Sequence, residues 1–77
     1  MKYEEFEKAC LKKLIEERKS SDPADLKKYI NESDSQEILH QFFDEGLERY
    51  KNGTKHDENI AFSYCIETAV VNLSLLY

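Results

Sequence analysis

The stretch Asn59–Tyr77, NIAFSYCIETAVVNLSLLY, constrains this fold most: it is the longest apolar run in the chain and carries a single charge, Glu67. On a helix, at about 100° per residue, Phe62, Cys65, Ile66, Ala69, Leu73 and Leu76 cover one side. Ile60, Tyr64, Val71 and Leu75 cover nearly the opposite side, with a thin polar strip of Ser63, Glu67 and Ser74 between the two. A helix lying on a core shows one apolar stripe, whereas a helix apolar over most of its circumference needs partners nearly all round. Those partners come from the rest of the chain or from a second copy of it.

The rest of the chain is short. Its 77 residues make one domain, and a domain of that size buries only about 60% of the surface its unfolded form exposes. Disulfides, metals or oligomerisation usually make up the shortfall. Cys10 and Cys65 both fall on apolar helix faces, and the charged start of the chain, from Lys2 onward, has no secretory character. They read as buried, reduced thiols of a cytoplasmic protein rather than a disulfide. A membrane span over Asn59–Tyr77 is disfavoured by Glu67, which at mid-bilayer costs about 2.5–3.5 kcal/mol if it behaves as Asp does. The expected environment is a protein core, with no membrane.

Upstream, residues 2–19 repeat Tyr3, Phe6, Cys10 and Leu14 at helical spacing, widened by Leu11 and Ile15. Glu4 with Lys8, and Lys12 and Lys13 with Glu16 and Glu17, are opposite charges at i,i+4 that support a helix. Asp22-Pro23 then opens a short helix over 23–31, Asp22 as N-cap and Pro23 in the first turn. A third helix is predicted over 35–51, opened by a capping box of Asp34 with Glu37 or of Ser33 with Gln36. Its apolar face is Ile38, Leu39, Phe42, Phe43, Leu47 and Tyr50. Gly46 lies inside that arc, where glycine costs about 1 kcal/mol against alanine, and close approach of the last helix is the predicted compensation. Asn52-Gly53 stops the helix, and Asp57 or Thr54 caps the fourth, over 58–76. The expectation is an all-α, four-helix bundle-like domain built around its hydrophobic C-terminal helix, with sequence neighbours antiparallel.

Charge narrows the function. The net charge is −5, which argues against direct contact with a phosphate backbone. The acid excess lies in the second half: residues 33–53 hold five acids against Arg49 and Lys51. Glu37, Gln41, Asp44 and Glu48 form a row on helix three with Glu45 beside it. Such a row reads as a solvated face or as a surface offered to a basic protein, imitating phosphates. The same acids disfavour a helix-turn-helix reading of helices two and three. His40 with Asp44, and His56-Asp57-Glu58, are the nearest approach to metal-ligand spacing, yet no HxxxH, CxxC, HExxH or EF-hand pattern is present. No phosphate loop, GxSxG or adjacent Cys–His pair offers catalysis. No cofactor, metal or catalytic residue is expected, and the chain reads as a non-enzyme.

In composition the chain resembles the small, acidic, Lys/Glu/Asn/Ile-rich proteins of bacteria and their phages. That resemblance rests on no motif and gives no residue a role. The predicted function is a small acidic protein–protein interaction module: a regulator, adaptor or inhibitor acting by surface binding. The alternative is a nucleic-acid-directed protein, either a phosphate mimic or a transcription regulator. Ile60, Tyr64, Val71 and Leu75 are the candidate interface, with a homodimer the expected assembly. Glu37, Asp44, Glu45 and Glu48 are the candidate acidic surface. Thr68 and Asn72 interrupt the apolar arc where polar groups can set the register of a helix pair.

Overall fold

The structure, a computed structural model, describes residues 1–53 and 57–77. Among these residues the chain forms four helices: α1 (Tyr3–Glu17), α2 (Pro23–Ile30), α3 (Ser33–Asn52) and α4 (Glu58–Leu76). The all-α bundle predicted from periodicity is the fold observed.

The helix ends follow local chemistry, with two departures. Asp22 caps α2, its Oδ1 accepting from the Ala24 N–H at 2.9 Å, and Asp57 caps α4 by accepting from Asn59 N–H at 2.9 Å. The other predicted cap, Thr54, lies outside the described residues. α3 starts at Ser33, two residues before the predicted start, with Glu32 as an N-cap that offers no side-chain bond. Neither predicted capping box forms this start. The Gln36 side chain points back into the bundle instead, where it accepts from Tyr3 Oη (2.7 Å) and donates to Glu7 Oε2 (2.7 Å) and the Ile30 carbonyl (2.8 Å). One amide thus ties α1, α2 and α3 together. At the other end, α3 runs to Asn52, one residue past the predicted bound and inside the predicted Asn52-Gly53 stop. Gly53 leaves in extended backbone (φ −78°, ψ 155°) rather than through the left-handed turn that glycine often provides there.

The core is drawn from all four helices: Phe6, Cys10 and Leu14, Leu26 and Ile30, Leu39, and Phe62, Cys65, Ala69, Val70 and Leu73. At its centre the Phe6, Phe43 and Phe62 rings meet with centroids 5.5–6.0 Å apart, a favoured aromatic separation. Gly46 is the reason α3 and α4 approach so closely. A Cβ built there falls 2.4 Å from the Phe62 ring, so the predicted compensation for a mid-helix glycine is the one the fold uses.

α3 and α4 run antiparallel, Gly46 lying against Phe62 while Ile38 and Leu76 share a hollow at the other end. α1, far away in sequence, runs parallel to α4. Three ties follow one another along the pair: the Met1 amino group with Glu58, Lys13 Nζ with Glu67 (3.2 Å), and the Arg18 guanidinium with the Ser74 carbonyl. α4 is therefore flanked by α1 on one side and α3 on the other, and its remaining face points outward.

Candidate docking face on α4

The outward face of α4 is apolar. Ile60 is 58% exposed, Tyr64 53%, Val71 51% and Leu75 79%, and these are the four residues the helical spacing sets opposite the core side. On that core side Phe62, Cys65, Ala69 and Leu73 are fully buried, joined by Val70, which the spacing argument left out. Leu76 was assigned to the core side but is 68% exposed. It sits in the last turn, past Leu73, the last buried residue of the helix, and borders the hollow beside Ile38.

Polar groups frame the face. Glu67 sits in its middle, exposed, and pairs with Lys13 of α1. On the α3 side the Arg49 guanidinium lies 4.5 Å from the Tyr64 ring centroid, a cation–π arrangement, and 3.5 Å from Glu45. Thr68 and Asn72 spend their donors within the helix, Thr68 Oγ1 on the Tyr64 carbonyl and Asn72 Nδ2 on the Thr68 carbonyl, each at 2.8 Å. Thr68 can therefore lie against an apolar neighbour without leaving its hydroxyl donor stranded, while Asn72 keeps a second N–H free. The end of the helix is also anchored. Tyr29 Oη donates to the Leu73 carbonyl at 2.7 Å, Arg18 donates to the Ser74 carbonyl, and both side chains contact the Tyr77 ring. The Arg18 bond satisfies a carbonyl that the helix C-terminus leaves open, and the Tyr29 bond adds a second donor to the Leu73 carbonyl, which also accepts from Tyr77 N–H at 3.1 Å.

The acidic row is where the spacing put it. Glu37, Asp44 and Glu48 are exposed and Glu45 is half-buried. Glu45 pairs with Arg49, and Glu48 accepts from Asn52 Nδ2 at 2.9 Å, so half the row is engaged within its own helix. His40 does not meet Asp44 in an ion pair. Its ring stacks on Tyr3 with centroids 4.0 Å apart and planes within 2°. His56 lies outside the described residues. Among the described residues no group of His, Cys, Asp and Glu is arranged to hold a metal.

The thiols are buried and unpaired. Burial pushes Cys10 up to about 12, with Cys65 and Glu7 adding to the effect, and raises Cys65 as well. Such thiols stay protonated near neutrality and are poor nucleophiles. Two open hollows, of about 230 Å³ beside Tyr29 and Ser35 and about 280 Å³ between Leu11 and Ile30, are smaller than common ligand pockets. By length and composition α4 is the one described helix apolar enough to cross a membrane.

These features define a small all-α domain whose chief surface feature is an apolar helix face. No family model, curated protein or solved structure matches the chain.

Proposed function

We propose that this protein is a small protein–protein interaction module that docks through the outer face of α4. One observation carries the reading: Ile60, Tyr64, Val71 and Leu75 align on one bearing, each more than half exposed, on a helix whose opposite side is buried in the core. Together they expose roughly 500 Å², at the upper end of the largest apolar patch on a typical monomer. That is about a tenth of the 5264 Å² total surface, close to the share one partner contributes to a specific interface. Tyr64 and Arg49, stacked together at its edge, belong to the residue types enriched at interface hot spots. The regulator, adaptor and inhibitor roles all follow from occlusion by such a face.

The phosphate-mimic alternative draws on the exposed Glu37, Asp44 and Glu48. It has less support, because Arg49 and Asn52 engage the neighbouring Glu45 and Glu48 and break the continuity of the acidic band.

The test is site-specific photo-crosslinking in living cells with a benzophenone side chain at position 64 or 75, and at Lys12 on the solvent side of α1 as control. Discrete adducts from 64 and 75 that are absent from 12 are expected. Adducts from position 12 alone, or from no position, overturn the reading.

A further inference from the structure

We infer that the partner of this face is a second copy of the same chain, paired antiparallel through α4 about a two-fold axis that passes between Glu67 and Thr68. The inference rests on the docking role proposed above and gives that face its occupant.

The face residues fall at 60, 64, 71 and 75, with intervals of four, seven and four that read the same in both directions. In an antiparallel pair centred between 67 and 68, Ile60 comes level with the second copy's Leu75, and Tyr64 with the second copy's Val71. The largest side chain meets the smallest, and the two aliphatic ends meet each other. An isologous interface requires a patch that is its own complement, and this one is. A seven-residue interval returns a side chain to within about 20° of its starting bearing, so the four residues form a continuous seam.

Each copy carries a net charge of −5, so association needs local compensation at the seam. Antiparallel two-fold symmetry puts α1 of both copies on the same flank of the seam. The two Glu67 carboxylates then lie close together at its centre, each already 3.2 Å from its own Lys13, which gives two anions and two cations in one neutral cluster. A parallel pair would set each residue against itself and separate the two Lys13–Glu67 pairs onto opposite flanks. A lipid surface would meet the same centre with a carboxylate and no second lysine. On the other flank Thr68, its hydroxyl committed to the Tyr64 carbonyl, packs without an unmet donor.

The roughly 500 Å² of apolar face is extended by the flanking Glu67, Thr68, Asn72 and Arg49 toward the ~800 Å² per partner of a standard interface.

The experiment combines sedimentation of the full chain with cysteine crosslinking. The wild type is expected to associate at micromolar concentration to twice its 9.1 kDa mass. Val71→Lys, an exposed change that leaves the core intact, should weaken association at least tenfold with unchanged helical circular dichroism. Under mild oxidation an Ile60→Cys chain mixed with a Leu75→Cys chain should form a disulfide dimer, while neither chain alone does so. A wild type that stays at monomer mass up to millimolar concentration overturns the inference, as does a covalent dimer from Ile60→Cys alone, which marks a parallel pair. Flotation of the monomer with phosphatidylcholine vesicles would name lipid as the occupant and also overturn it. If the chain is monomeric, foreign adducts at positions 64 and 75 would still uphold the docking role, so the two readings fail separately.

Discussion

At the scale of single residues, the bundle turns on a few contacts that leave no slack. Gly46 has no room for even one methyl group: the Phe62 ring it faces is fully buried and held by Phe6 and Phe43. Gly46→Ala gains about 1 kcal/mol of helix propensity, but overpacking a filled core costs about 1–3 kcal/mol. The expected result is a net loss of stability, read as a lower urea midpoint, whereas the same change at an exposed glycine would be neutral or favourable. Ionisable groups give a second prediction. Burial raises Cys10 from 9.0 and Tyr3 from 10.0, each to about 12, in the folded chain. Above pH 9 the unfolded chain releases protons that the folded chain still holds, so their contribution is intact below about pH 9 and is lost as pH climbs toward 12. Melting temperature should hold steady from pH 7 to 8.5 and fall by pH 10. A Cys10→Ala chain should start less stable but decline with a shallower slope.

At the scale of elements, α4 holds its position because its end is tied down. Tyr29 and Arg18 reach its last carbonyls from α2 and from the residue that closes α1. Removing the Tyr29 hydroxyl as Tyr29→Phe keeps the ring against Tyr77 and deletes one hydrogen bond, worth about 0.5–1.5 kcal/mol. Amide exchange should quicken in the last turn of α4 and stay unchanged in α1. These elements also show what sequence reading reaches. The two faces of α4 follow from angular arithmetic, because a helix fixes side-chain bearings whatever surrounds it. Asp22 and Asp57 act on backbone two residues away, so they too are legible. The start of α3 is not, because the Gln36 side chain that would have completed a local box finds Tyr3, Glu7 and the Ile30 carbonyl instead, partners set by tertiary packing. For the same reason the parallel run of α1 and α4 and the Lys13–Glu67 tie carry no local signal, and His40 beside Asp44 gives no hint that it stacks on Tyr3.

At the scale of the whole molecule, the question is how 77 residues suffice. The folded chain measures 39 × 22 × 20 Å, about two helix diameters across, and the fully buried apolar residues among the described ones come to only eleven. Domains of this size gain stability from outside when a small core falls short. Here the thiols are free, and no metal cluster is arranged among the described residues; the association proposed above would act through the α4 face. Mass action then makes a sharp demand. If the folded chain pairs and the unfolded chain does not, stability rises with protein concentration. For a dimer of two chains this long, the typical unfolding enthalpy per residue sets the increment at about 3–5 °C in melting temperature per tenfold rise in concentration. The wild type should follow that slope from about 5 to about 500 μM. Val71→Lys should show the same rise only at concentrations at least tenfold higher, and should match the wild type where both are monomeric, because the change touches the face and not the core. A flat wild-type profile would mean that eleven core residues and the ties on α4 hold the chain unaided, and that the exposed face serves a partner other than itself.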